Sequence, residues 1–184
     1  MTYLFFDTET TGKKTDSYLV QVCARLMADN LSQELGSINL IVNNRVPIPK
    51  EASEIHGITE AIANAYGVRP RSACSAFFGL AQIADAFVCH NYNYDDGIMT
   101  SAFQRSGIEN MPWKAKSAYC TMLTATPDMR LPNPRYPQEF KWPRLGEALA
   151  FYCPGTPQTA AHTAWGDVND CLMIFREMRQ RRLL

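Results

Sequence analysis

The sequence predicts an α/β fold, a mixed sheet flanked by helices. Three observations lead there. The N-terminal run Tyr3-Leu4-Phe5-Phe6 is continuously apolar and reads as a strand buried on both faces. Two alternating segments follow across short turns, the pattern of an antiparallel meander. Beyond Pro47 and Pro49, segments of helical period alternate with two short apolar strand candidates.

Each element has its own signal. The opening strand runs into Asp7-Thr8-Glu9-Thr10-Thr11-Gly12, and Gly12 to Asp16 reads as a polar turn. Ser17 to Leu26 puts Tyr18, Val20, Val22, Ala24 and Leu26 on one face of a strand. Asp29-Asn30 supplies turn chemistry, and Gln33 to Val42 alternates more weakly. Glu51 to His56 predicts a short helix before Gly57. Thr59 can cap another through Tyr66, closed by Gly67. Ser72 to Ala84 gathers Ala73, Ala76, Phe77, Leu80 and Ala84 on one face of a helix. Ala86 to Cys89 predicts a strand leading into His90-Asn91. Residues 92 to 106 predict a helix with Ile98, Met99, Ala102 and Phe103 inward, stopped by Gly107. Lys116 to Thr121 predicts a further short strand.

Pro127, Pro132, Pro134, Pro137 and Pro143 predict an extended loop with no helix or central strand. This loop carries Arg130, Arg135, Tyr136, Phe140, Lys141 and Trp142. Arg130, Arg135, Tyr136 and Trp142 read either as a flap over a bound partner or as part of a proline-stiffened surface loop. Leu145, Ala148, Leu149 and Tyr152 have helical spacing, ended by Pro154-Gly155. A last helix from about Ala164 to Arg181 turns Val168, Cys171, Leu172, Phe175 and Met178 inward. No repeat or linker divides the chain, so one domain is expected over residues 1–184.

Bulk properties narrow the function classes. Hydrophobic residues make up 46%, and no apolar run is long enough to span a bilayer, so no membrane association is expected. Cys23, Cys74, Cys89, Cys120, Cys153 and Cys171 show no Cys-x-x-Cys spacing and mostly fall in apolar segments. They read as buried, reduced thiols of a cytoplasmic protein, not as a disulfide framework or zinc site. The formal net charge is zero, so there is no global basic field.

Three polar constellations stand out. Asp7 and Glu9, two apart on a strand, project to the same side. Paired carboxylates repel, and a hard divalent cation with oxygen ligands relieves them; a strand end with a polar turn fits the same residues. His90-Asn91-Tyr92-Asn93-Tyr94-Asp95 joins a strand to a helix. Asp95 lies at the edge of that helix's inward face, where a carboxylate needs a partner or a metal; it also fits an acid favoured by the helix dipole. In His162-Thr163-Ala164-Trp165-Gly166-Asp167, five residues separate the histidine from the acid, too far round one helix to share a site. They can share one if His162 lies on the loop before the helix, which the Pro154 to Ala161 segment permits.

Together the three resemble the motifs of the DEDD 3′–5′ exonucleases, in the branch whose third motif carries histidine (DEDDh, DnaQ-like). The epsilon proofreading subunits of bacterial DNA polymerase III are the closest likeness. Phe6 to Gly12 is similar to the first motif without departure. His90 to Asp95 is similar to the second, with Tyr94 where phenylalanine is commoner and Asp95, not Asp96, as the family acid. His162 to Asp167 is similar to the third. Ile55-His56-Gly57-Ile58-Thr59, preceded by Glu51, and Lys141 to Leu145 add weaker echoes.

The resemblance implies an RNase H-like fold with a five-stranded mixed sheet, three strands antiparallel. It implies that Asp7, Glu9, Asp95 and Asp167 hold two Mg²⁺ or Mn²⁺ ions, whose charge the four carboxylates balance. His162 would take the proton of the attacking water. Thr8, Thr10, Glu51 and His56 would meet the terminal nucleotide. The expected reaction removes nucleoside 5′-monophosphates from DNA 3′ ends, with single-stranded DNA the expected partner. Epsilon-type subunits continue into a polymerase-tethering segment, and none follows Leu184. A stand-alone or virus-encoded enzyme is therefore favoured, although association with a polymerase is compatible with the motifs. Two alternatives stay open: an RNA-trimming enzyme of the same superfamily, and a non-catalytic nucleic-acid-binding module. The intact set of four acids and His162 argues against the second.

Overall fold

The computed structural model describes residues 1–160 and 162–184. Five strands, β1 (Thr2–Thr10), β2 (Leu19–Ala28), β3 (Glu34–Ile41), β4 (Ala86–Cys89) and β5 (Ser117–Cys120), form one sheet in the order β3-β2-β1-β4-β5. β1 pairs antiparallel with β2 (Phe5 opposite Arg25) and parallel with β4 (Leu4 opposite Phe87). The β2–β3 pair is antiparallel and the β4–β5 pair parallel. This mixed sheet is the RNase H-like arrangement. Helices α1 (Lys50–His56), α2 (Glu60–Tyr66), α3 (Pro70–Ile83), α4 (Tyr92–Arg105), α5 (Thr121–Met129), α6 (Leu145–Tyr152) and α7 (Ala164–Gln180) accompany it. Among the described residues no helix is long and apolar enough to cross a membrane.

β1 is central because both of its faces are apolar. Leu4 and Phe6 pack with Val22, Ala24 and Leu26 against α3 and α4. Tyr3 and Phe5 pack with Cys23 and Met27 against Val168, Cys171, Leu172 and Phe175 of α7. Rings meet edge-on across both layers: Phe6 to Phe77 at 5.2 Å and Phe5 to Phe175 at 5.3 Å between centroids. Each buried aromatic side chain contributes roughly 1.5–3 kcal/mol. The strand is thus clamped from both sides, and its alternation carries on past the apolar run. Asp7 and Glu9 continue the Phe5 parity toward α7. Thr8 and Thr10 continue the Phe6 parity toward α4.

Two local expectations need correcting. Tyr18 lies outside β2, with its ring under the Arg105 guanidinium at 4.2 Å. Pro127 does not exclude a helix: α5 runs through it. Proline sits in the last turn, where its ring disturbs only the carbonyl one turn back. Arg130, in the left-handed region at φ 50°, closes the helix through its N–H to the Thr126 carbonyl (3.2 Å). The irregular segment begins only there, and a single bridge joins Pro132 to Phe140 within it.

Candidate active site

The end of β1 and the start of α7 bring three carboxylates together. One oxygen from each of Asp7, Glu9 and Asp167 lies within 4.8 Å of the others. Asp95, in the first turn of α4, stands beside them and is set back. Its Oδ1 accepts from the Thr8 backbone N–H (3.0 Å) and the Thr8 hydroxyl (2.7 Å). Its neighbour Asp96 points away and accepts from Trp113 Nε1 (2.8 Å) and Lys114 Nζ (2.6 Å). One helical step of about 100° separates the two acids.

No lysine or arginine pairs with this cluster among the described residues, whose five ion pairs all lie elsewhere. Asp7 is half-buried at the end of β1. Burial first, then the charges of Asp95, Asp167 and Glu9, push its carboxyl well above the usual range. Burial and then Asp167 and Asp95 push Glu9 up to about 8. Burial pushes Asp95 up to about 7 against the lowering effect of the Thr8 donors. Burial pushes Asp167 up to about 6, while His162 draws it down and Asp170 raises it. Asp167 Oδ1 is buried and finds no hydrogen-bond partner among the described residues. An all-oxygen donor set, a surplus of repelling charge and an orphaned carboxylate oxygen fit a hard divalent cation.

A pH prediction follows. All four acids bind protons more tightly folded than unfolded, so the native chain holds extra protons between about pH 4.5 and pH 8. Stability of the metal-free protein should therefore fall as pH rises through about 6 to 8. Mg²⁺ held by the same carboxylates would replace those protons. Its addition should raise the melting temperature little at about pH 5 and by about 3 °C or more at about pH 8. Thermal melts at both pH values, with Mg²⁺ and with EDTA, check this; an Mg²⁺ shift no larger at the higher pH would count against it.

His162 precedes α7 on an exposed loop, beside Thr163, whose side chain caps the helix by accepting from Gly166 N–H (3.1 Å). Ala161, the last residue of the Pro154 to Ala161 segment, lies outside the described residues. Two residues without an assigned role in the sequence reading hold this loop. Asp170, fully buried one turn beyond Asp167, accepts from the Thr159 N–H (3.1 Å). At Gly166 a methyl group would overlap the Thr159 and Ala160 carbonyl oxygens, so only glycine lets the loop cross the helix. The available signals were an acid at i+3 from Asp167 and a glycine in a first helical turn.

A cavity of about 360 Å³ adjoins the acids and shares Glu9 as a wall. Thr8, Thr10, Glu51 and His56 all line it, together with Lys13 and Tyr94. The two threonine hydroxyls are committed within the protein. Thr8 serves Asp95, and Thr10 meets the Tyr94 hydroxyl (2.8 Å), which donates to the Gly12 carbonyl (2.7 Å). His56 is buried; its Nδ1 accepts from Ile58 N–H (3.1 Å), and burial holds its ring toward the neutral form. Glu51 is exposed on α1 at the rim.

His90 pins the edge of the site. Nε2 faces the Pro143 carbonyl (3.0 Å), which can only accept, so that nitrogen carries the proton and Nδ1 accepts from the Thr121 hydroxyl (2.9 Å). This ties the root of the aromatic loop to the ends of β4 and β5. The loop displays Tyr136, Phe140 and Trp142, all more than two-fifths exposed.

Comparison with known proteins decides the family. The RNase T exonuclease family model matches residues 4–175. The chain belongs to this exonuclease family. The match does not single out the epsilon branch. An uncharacterised exonuclease, CP81, of Escherichia phage 186 is 31% identical over 156 residues, covering 80% of this chain and 73% of that protein. Among solved structures, E. coli exonuclease I in complex with a dT13 oligonucleotide superposes with a TM-score of 0.80 at 21% identity, over 99% of this chain. The zinc-bound form of the E. coli enzyme with single-stranded DNA gives 0.82 at 22% identity and 99% coverage. A moderately thermophilic exonuclease I from Methylocaldum szegediense gives 0.79 at 19% identity, over 98% of this chain and 41% of that one. The chain spans 42% of the length of the two E. coli structures, and at these identities the likeness speaks to the fold.

Proposed function

We propose that this exonuclease-family protein is a metal-dependent 3′–5′ exonuclease that removes nucleoside 5′-monophosphates from DNA, single-stranded DNA before duplex. The observation that carries the reading is the convergence of Asp7, Glu9 and Asp167 beside Asp95, against a cavity that shares Glu9 as a wall. The oligonucleotides bound by the exonuclease I structures support single-stranded DNA as the first substrate to try.

In this reading Asp7, Glu9, Asp95 and Asp167 hold two divalent ions, Mg²⁺ or Mn²⁺. Such ions, when bound, supply an activated water and neutralise charge on the phosphoryl oxygens. The residues do the rest. The cavity takes the terminal nucleotide, with Glu51 at its rim and the His56 ring inside. That seating sets the scissile phosphate against the carboxylates. A His162 ring nitrogen accepts the proton of the attacking water and, being exposed, passes it to solvent. The bond from phosphorus to the 3′ oxygen of the preceding nucleotide breaks, that oxygen takes a proton from solvent to become the new 3′ hydroxyl, and the 5′-phosphate leaves with the released nucleotide. Thr8 orients Asp95, and Asp170 with Gly166 orients the His162 loop.

The test uses 5′-labelled single-stranded DNA, duplex DNA and RNA of equal length, each with Mg²⁺ and with EDTA. A ladder shortened from the 3′ end is expected in Mg²⁺ alone, fastest on single-stranded DNA. If RNA is shortened fastest, the substrate is RNA; if nothing is shortened, the enzymatic reading fails and a binding module takes its place.

A further inference from the structure

A second feature lies outside this machinery. Arg45 follows β3, Arg69 and Arg71 flank Pro70 at the start of α3, and Arg105 ends α4. The four arginines line one open groove of about 480 Å³. All four are exposed, and none makes an ion pair among the described residues. Arg71 donates to the Ser106 carbonyl (2.9 Å). Arg105 donates to the Ser17 carbonyl (3.1 Å) and the Asp16 carbonyl, and lies over the Tyr18 ring. Neutral carbonyls and an aromatic face fix the direction of a guanidinium without cancelling its charge.

Helix stability explains only part of this. Arg105 suits the C-terminal end of α4, but Arg69 and Arg71 stand at the positive end of α3, where a cation is disfavoured. In a chain of zero formal charge, so dense a basic group is a local concentration. The groove also lies on the side of the molecule toward the carboxylate cleft, one depression removed from it. Asn43, Asn44 and Arg45 line a neighbouring depression of about 210 Å³ whose wall includes Thr11. Thr11 in turn lines the cavity beside Glu9. Shared wall residues thus set three adjoining depressions in a row from Glu9 to the arginines.

We propose that the arginine groove is a sequence-independent site for the phosphate backbone of the polynucleotide outside the terminal-nucleotide cavity. It rests on the exonuclease reading and adds to it a grip for longer strands. Three arginines engaging three phosphates would make affinity length-dependent and salt-dependent.

The experiment measures fluorescence anisotropy of labelled single strands of about four and about twenty nucleotides, in EDTA, over a salt series. It compares the parent with Arg45→Ala/Arg69→Ala/Arg71→Ala. The variant is expected to bind the long strand about tenfold more weakly at physiological salt, with the slope of log affinity against log salt shallower by about 2. The short strand should bind both proteins alike. Equal long-strand affinity and slope in the two proteins would overturn the proposal, as would equal loss on both lengths. If the triple variant melts early, Arg45→Glu/Arg69→Glu replaces it, because neither side chain is bonded within the described residues; the same losses are then expected. Hydrolysis of the short strand by the parent in Mg²⁺ is scored separately. Its absence sinks the exonuclease reading, whereas the binding comparison alone decides the groove.

Discussion

Asp7→Asn is expected to lower exonuclease turnover by about 10³–10⁴-fold and, in the same protein without metal, to raise the melting temperature. The two effects have one cause. Asp7 lies where burial and the charges of Asp95, Asp167 and Glu9 all oppose its ionisation. A carboxylate kept there costs stability that a neutral isostere returns, and a gain of 1 kcal/mol corresponds to roughly 2–4 °C in a chain of this size. The same carboxylate is one of three that converge within 4.8 Å. Losing one ligand of a metal site removes several kcal/mol of transition-state stabilisation, at about 1.4 kcal/mol per decade of rate. Turnover on 5′-labelled DNA and melting in EDTA at about pH 8 measure both. Activity within tenfold of the parent would contradict the assignment. Lost activity with a lowered melting temperature would mean that Asp7 is a structural acid instead.

Much of the fold is legible in the sequence because its signals are local. β1 announces itself by an uninterrupted apolar run, and β4 is found at its observed bounds, Ala86–Cys89. The antiparallel β1–β2–β3 meander follows from the short turns between its strands. Where reading fails, a contact from far along the chain decides. Tyr18 alternates correctly with Val20 and Val22, yet Arg105 stacks over it and the strand starts after it. α5 is hidden by Thr121, Thr124, Thr126 and Pro127, poor helix formers that burial of Met122 and Ala125 overrides.

The candidate site divides along the same line. Asp7, Glu9, Asp95, His162 and Asp167 are conspicuous because their side chains have little else to do. The residues that aim them are not. Thr8 looks like a strand residue that could meet substrate, but its N–H and hydroxyl both hold Asp95. Asp170 looks like an acid on a helix surface until the Thr159 N–H is seen to meet it in the interior. Gly166 reads as a weak helical residue, and its purpose is the space it leaves for the Thr159 and Ala160 carbonyls. Such roles are relations between segments, and a linear pattern does not encode which segment will arrive.

His162→Ala separates chemistry from architecture. The side chain is exposed on the loop before α7, and no hydrogen bond to it is formed among the described residues. Its removal should leave the melting temperature and the Mg²⁺-induced shift close to those of the parent. If it takes the proton of the attacking water, kcat should nevertheless fall by about 10²–10⁴-fold with little change in KM. Gly166→Ala is the companion. It keeps the imidazole but forces the Thr159–Ala160 carbonyls away from α7, so the loop carrying His162 must shift. A displacement of about 1 Å can cost a hundredfold in rate. Equal loss in both variants, with stability lowered only in Gly166→Ala, is the result expected of a base that works by where its loop puts it. A His162→Ala protein that turns over like the parent would move the proton to water or to another group and leave Asp170 and Gly166 as packing residues alone.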